Sequence, residues 1–285
     1  MKILEKTELP LYNVKDHVPR GYHLCDINTF NSAMKSIFPL ILFLFLVKAL
    51  FAQLAIINDP DGYVNIREGR SKDAKITGRL FDGDFFLATP GEEPGGDWWE
   101  VYYSADPGEL ENYKLAWYRK NNLTDGKVLY LQGYVYKSRI LPVDSLASVA
   151  RGTIRRTKNT VSLTNDSVRF FMRTTNFVQK NHLIEKDSGG FVTAIDHRRP
   201  MGTDGDLPRT EITEISLTIQ GMPVEFTRKH YRDLYEPNLE TVNLVTDRRG
   251  GLILTMPFNS DGAGAYCAAW LIRDRKMVRR YVDSL

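Results

Sequence analysis

What the sequence has little of narrows its chemistry first. Two cysteines occur in 285 residues, Cys25 and Cys267. They lie on opposite sides of a leader-like apolar segment, so the part after it keeps a single thiol and has no disulfide of its own. Each folded unit there must stand on its hydrophobic core. The five histidines and Cys267 show no zinc-type spacing. Charge of one sign is also missing: 38 Lys and Arg are interleaved with 35 Asp and Glu, for a net charge of +3. Without a basic stripe, nucleic acid is not an expected partner. The apolar run at 37–47 stops at Lys48 after eleven residues, short of the roughly 18 that a membrane-spanning helix requires.

What is present is an ordinary globular composition, 42% hydrophobic and 26% charged, which argues against disorder and suits about two domains at this length. Residues 34–53 read as an export signal. Lys35 gives the basic start, 37–47 the apolar centre, and Ala52 the small residue before a cut at Gln53, with Leu50 an imperfect match two positions earlier. An uncleaved anchor is the alternative. A secretion signal belongs at the start of a chain, so translation is expected to begin at Met34, with 1–33 a spurious extension; a true start at Met1 would favour the anchor. No Cys follows the cut, which argues against a lipid anchor of the bacterial lipoprotein type. The expected organisation is a signal peptide at 34–52, a first domain at 53–142, a linker at 143–159 and a second domain at 160–285.

Within 53–142, short strand patterns alternate with turn signals at Asp59-Pro60-Asp61-Gly62, Asp82-Gly83 and Pro94-Gly95-Gly96, the pattern of a small barrel or sandwich. Gly62-Tyr63-Val64-Asn65-Ile66-Arg67-Glu68-Gly69 is followed by Ile76-Thr77-Gly78-Arg79-Leu80 with Gly83-Asp84. Trp98-Trp99-Glu100-Val101 and Gly133-Tyr134-Val135-Tyr136-Lys137-Ser138-Arg139-Ile140 come next. In this order the four motifs resemble bacterial SH3 (SH3b) domains, over about a third of the chain. The resemblance implies an SH3-like small barrel, in which Asn-hydrophobic-Arg ends the first strand and Gly-aromatic-Val returns to complete the barrel. One departure stands out. Where the family has a tight turn, this chain inserts Leu115-Ala116-Trp117-Tyr118 and Val128-Leu129-Tyr130, expected to form an added hairpin that turns at Asp125-Gly126.

In 160–285, Ile215, Leu217 and Ile219 alternate with Ser216, Thr218 and Gln220, a half-buried strand. Further strands are expected at 168–173, 242–246, 252–256, 266–272 and 277–282. One short helix is expected at 227–235, capped by Thr227 and ended by Pro237. Gly202-Thr203-Asp204-Gly205-Asp206-Leu207-Pro208, Asp233-Leu234-Tyr235-Glu236-Pro237-Asn238-Leu239 and the stretch from Asn259 to Tyr266 resemble an uncharacterised domain of secreted proteins of the Bacteroidota type. That resemblance implies location and architecture only. The expected fold class is mainly β: an SH3-like small barrel followed by a second antiparallel β-rich domain with one short helix.

Bacterial SH3 domains often accompany cell-wall peptidases that use Cys and His, with the Cys first in the chain. Here Cys267 follows His182, His197 and His230 and sits in an apolar strand pattern, so it reads as a buried structural thiol. Asp204-Gly205-Asp206 starts like a calcium loop, but Ile215 stands where a bidentate Glu is needed, and Asn259-Ser260-Asp261-Gly262 fails likewise at Trp270. Both read as turns. A carboxylate pair for glycoside hydrolysis could come together only in the fold. No metal and no cofactor are expected, and the chain reads as a non-enzyme.

Binding surfaces offer more. Strand alternation sends Trp99, Val101 and Tyr103 to one side and Trp98, Glu100 and Tyr102 to the other; with Val135 inward, Tyr134 and Tyr136 point out. Trp98, Tyr102, Tyr134 and Tyr136 then form a platform for peptide or glycan, unless Trp117 and Tyr118 of the insert bury them. A second candidate is the loop 259–266, with Asp261, Gly262, Gly264 and Tyr266. Its small residues would let a partner's backbone approach, and it is faintly similar to the Ser-Gly-x-x-Tyr loop of periplasmic lysozyme inhibitors; a hairpin turn is the alternative. The functional expectation is an exported, non-catalytic binding protein of the periplasm, cell surface or medium. Its SH3-like domain would recognise peptidoglycan peptide or a protein. An inhibitor acting through the 259–266 loop, or an enzyme with an unrecognised site, are the alternatives. Membrane contact is expected only if the leader stays uncleaved.

Overall fold

The computed structural model describes residues 52–285 apart from 92–95, 107, 109, 125–127, 150, 151, 261 and 285. The expected extension, all of the signal segment but Ala52, and the Asp125-Gly126 turn therefore lie outside the described residues. The first half is built from β1 (Gln53–Ile57), β2 (Tyr63–Arg67), β3 (Ile76–Phe81), β4 (Phe85–Thr89), β5 (Trp98–Ala105), α1 (Asn112–Lys120), β6 (Leu129–Tyr136) and β7 (Ile140–Pro142). Its strands pair antiparallel in the order β3-β2-β6-β5-β4-β1-β7. The sheet curls into a half-barrel. Inside the curl lie Ala55, Val64, Ile66, Leu80, Phe86, Val101, Tyr103, Leu131 and Val135, every second residue of their strands, as a pleat of period two requires.

The insert between β5 and β6 is not a hairpin. Leu115-Ala116-Trp117-Tyr118 lie in α1, and of the second insert segment only Leu129 and Tyr130 join a strand, the start of β6. Glu111, Lys114, Leu115 and Tyr118 stand at helical spacing. Lys114 and Tyr118 are buried, and Leu115 and Trp117 pack partly against the inner core. Two of the four stripe residues are charged, so the apolar period that marks a helix is masked in the sequence.

The rest of the chain supplies β8 (Thr153–Arg156), β9 (Thr160–Thr164), β10 (Val168–Asn176), β11 (Ile184–Lys186), β12 (Val192–Ile195), β13 (Thr210–Ile219), β14 (Met222–Pro223), β15 (Asn243–Thr246), β16 (Leu252–Met256), β17 (Tyr266–Arg273) and β18 (Lys276–Ser284). They form an outer sheet, β14-β13-β10-β9-β8, a central sheet, β15-β16-β17-β18, and a ribbon, β11-β12. The fold is mainly β throughout, as the strand patterns indicated. The helix expected at 227–235 is reduced to one 3-10 turn, Arg228–His230, with Thr227 and His230 forming a reciprocal cap. The chain leaves it because Leu234 and Tyr235 are drawn into bridges with Met201 and Glu211. The connector at 143–159 holds a 3-10 turn, Val143–Ser145, a bridge from Ser148 to Val245, and all of β8.

The central sheet is covered on both faces. Leu254, Met256, Ala268, Trp270 and Ile272 pack against Val161, Phe170, Met172, Ile215 and Leu217 of the outer sheet. From the opposite face, Val245, Ile253, Cys267, Ala269, Leu271 and Tyr281 meet Leu54, Ile56, Phe85, Leu141 and Val143 of the curled sheet. Each large aliphatic or Phe side chain so buried stabilises the fold by about 1.5–3 kcal/mol. Burial on both faces explains why β17 reads as a near-unbroken apolar run rather than an alternation.

Candidate functional site: an aromatic and basic groove

The four rings singled out from the sequence all stand on the outer side of the β5-β6 pair. Trp98 is paired with Tyr136, Glu100 with Tyr134, and Tyr102 with Gln132. Trp98 and Tyr136 meet edge to face with ring centroids 5.5 Å apart, a favourable arrangement of aromatic quadrupoles. Trp117 and Tyr118 do not cover them. Both pack edge-on against Phe81, and the buried Tyr118 hydroxyl donates to the Arg79 carbonyl at 2.7 Å.

Trp98 and Tyr136 line an open groove of about 650 Å³ where β2 and β6 diverge, sharing it with Tyr63, Asn65, Arg67 and Arg70. β2 and β6 share a single ladder pair, Arg67 with Tyr134. They touch at Gly133, where an added Cβ would lie 2.4 Å from the Arg67 carbonyl oxygen, so only glycine permits the contact. Tyr134 sits beside the groove with the Arg70 guanidinium 5.2 Å from its ring centroid. Tyr102 lies farther along the strand, where partial burial and then the neighbouring Glu100 raise its phenol pKa. Thus Trp98 and Tyr136 share the groove, Tyr134 borders it, and Tyr102 is separate.

The groove's rim is mainly cationic: Arg67, Arg70, Lys72 and Arg139 face two acids, Asp59 and Asp61. Arg139 pairs with Asp59 at 2.6 Å, and Arg67 donates to the Ala74 carbonyl at 2.7 Å, which ties down the loop carrying Arg70 and Lys72. Next to Trp98, the exposed Asp97 carboxyl is held below its usual range by a hydrogen bond from Lys137. Tyr63 is clamped by Arg79, whose guanidinium lies 3.9 Å from its ring centroid while Nε donates to Asn65. Sequence reasoning passed over Tyr63 and the basic rim, although Arg67, Arg70 and Lys72 cluster within six positions.

The second candidate, the loop 259–266, is a turn tied to its own fold. Asn259 and Tyr266 exchange backbone and side-chain hydrogen bonds, and Ala265 donates to the Gly262 carbonyl. A Cβ on Gly264 would meet Asp204 and Thr203 at 2.6 to 2.7 Å, so its missing side chain serves a contact within the molecule. Tyr266 is fully buried. Gly262 is exposed, and Asp261 lies outside the described residues. Ala263, Gly264 and Ala265 do border a cavity of about 340 Å³ shared with the segment from Arg199 to Thr203.

Among the described residues no group of three or more His, Cys, Asp or Glu side chains converges to hold a metal ion. Burial, with the nearby Asp283 second, pushes the Cys267 thiol up to about 12, so at neutral pH it is a protonated core residue. Compared with protein families, curated proteins and solved structures, the chain matches none.

Proposed function

We propose that the protein is an exported, non-catalytic binding protein that holds cell-wall peptide in the groove beside Trp98. The carrying observation is the convergence of the Trp98–Tyr136 ring pair with four cationic side chains on one open groove. Aromatic rings supply apolar contact area at small entropic cost. Arg and Lys at the rim suit the carboxylates of a peptidoglycan stem peptide through charge-assisted hydrogen bonds. The groove is open and shallow, which fits an extended peptide better than an enclosed small molecule. Export rests on the leader-like segment at 34–52 and on the SH3b-like order of motifs, which also points to cell-wall peptide over other acidic peptides.

The test is co-sedimentation of the purified chain with purified peptidoglycan, repeated with Trp98→Ala and Tyr136→Ala. Binding by the natural sequence, lost in both variants while their circular dichroism is unchanged, is the expected result. Undiminished binding by both variants overturns the assignment to this groove. A protein partner is the second outcome, recognised if peptidoglycan is not bound but a peptide library selects acidic ligands in a Trp98-dependent way.

A further inference from the structure

A charged cluster lies between the curled sheet and α1, away from the groove. Lys114 and Asp84 are both fully buried, and Lys114 Nζ donates to Asp84 Oδ1 at 2.8 Å. Glu111 Oε2, itself buried, lies 3.1 Å from the same nitrogen. Asp84 Oδ2 accepts the backbone N–H of Phe81 at 2.8 Å. Arg279 approaches both carboxylates, at 3.8 Å from Asp84 and 3.9 Å from Glu111, and donates to the Tyr103 hydroxyl at 2.9 Å. Tyr103, Tyr118 and Phe81 close the surroundings, and burial raises both phenols, which keeps them neutral.

Lys114, Asp84 and Arg279 are held almost wholly out of water, and Glu111 turns one buried oxygen toward them while the rest of its side chain reaches solvent. Buried charges are expensive to hold as ions. A lysine nitrogen held 2.8 Å from one oxygen of a carboxyl group, with a second carboxylate oxygen 3.1 Å from the same nitrogen, is also a pair of reactants already brought together. We propose that Lys114 and Asp84 condense spontaneously to an intramolecular isopeptide bond, with Glu111 as the proton carrier. The ammonium gives one proton to Glu111, which passes it to Asp84. The free amine of Lys114 attacks Asp84 Cγ and forms the N–C bond. The Phe81 N–H holds the oxygen that gains charge, the role of an oxyanion donor. A second proton leaves the nitrogen through Glu111 for Oδ1, the Cγ–Oδ1 bond breaks, and water departs. Nζ keeps one proton as the amide, Glu111 returns to its carboxylate, and nothing is oxidised or reduced. Condensation removes one positive and one negative charge and leaves Glu111 beside Arg279, so the cluster stays neutral. The bond would tie the β3-β4 turn to α1 in a region with no cysteine among its residues.

The sequence makes the test simple, because no Lys or Arg lies between Leu80 and Tyr113. The purified full chain is denatured, digested with trypsin and analysed by mass spectrometry. An unlinked protein gives peptides 80–114 and 115–119. The isopeptide blocks cleavage after Lys114 and gives one peptide, 80–119, lighter than its sequence by the mass of one water, with fragmentation placing the link between Asp84 and Lys114. That peptide as the dominant form is expected; the two unlinked peptides at full mass overturn the proposal. Glu111→Gln tests the proton carrier through the time course of the same peptide in newly made chain, natural and variant, sampled from cell-free translation. Formation about 100-fold slower is expected, and an unchanged rate removes Glu111 from the step.

Discussion

The outer face of the curled sheet has two halves, built by the same alternation and put to opposite uses. On β1 and β4 the outward residues are Leu54, Ile56, Phe85 and Leu87, and the central sheet covers them. On β5 and β6 they include Trp98, Glu100, Tyr102, Gln132, Tyr134 and Tyr136, which are half-buried or exposed. The alternation is indifferent to this outcome. Side-chain chemistry separates the halves: aliphatic groups and Phe go under a second sheet, whereas rings with polar edges mixed with Glu and Gln remain at the water boundary.

Substitutions on the two halves should therefore part stability from binding. Phe85→Ala, on the covered half, should lower the unfolding free energy by about 3–5 kcal/mol, read from the urea midpoint; a loss below about 1 kcal/mol would mean that this interface contributes little. Trp98→Ala, on the open half, should weaken stem-peptide affinity by about 30-fold and change stability by less than about 1 kcal/mol, by titration calorimetry and the same urea series. A large stability loss without a binding loss would make Trp98 a structural residue. Arg70→Glu should lower affinity about threefold at low salt, mostly through the association rate, and the difference should fade as salt is added; a salt-independent effect would argue for a packing role.

The smallest effect is expected outside both halves, at Asp196 in the turn that follows β12. Its carboxylate binds His182 Nδ1 at 2.9 Å and the Leu183 N–H at 3.0 Å. Burial alone would raise its pKa, but these bonds outweigh it and leave the group below 3.8. A carboxylate depressed by folding stabilises above its unfolded pKa and loses that contribution as pH falls through the lower folded value. Asp196→Asn should thus flatten part of the stability decline below pH 3.8. The group is partly exposed and solvent screens it, so the change is modest. An identical acid limb in the variant would remove the Asp196 pairing from the account.

How far the sequence could be read follows from which forces act locally. The β5 pleat was legible because Val101 and Tyr103 face the inner core and Trp98 faces out, as period two dictates. β17 was legible as a strand, although its apolar run did not say that a sheet would lie on each side. α1 was hidden by Lys114, a charge on the core-facing stripe, whose burial makes sense only beside Asp84, thirty positions earlier in the chain. Trp98 and Tyr136 could be named as outward rings, yet their groove depends on the divergence of β2 from β6 and on Gly133, long-range features without a local signature. In the sequence the glycines of the 259–266 loop fit either room for a partner or a plain hairpin turn; in the fold Gly264 is filled from within by Thr203 and Asp204.

The chain's four tryptophans allow the two kinds of surface to be compared in one sample. Trp98 lines the groove, Trp99 and Trp117 pack toward the inner core, and Trp270 is fully buried between sheets. Titrating soluble stem peptide into ¹⁵N-labelled protein and following the four indole N–H resonances should shift the Trp98 signal in a saturable way and leave Trp270 in place. Saturable movement of Trp270 with Trp98 unmoved, or no movement at millimolar peptide, would contradict the claim that the open half of the curled sheet is the recognition surface.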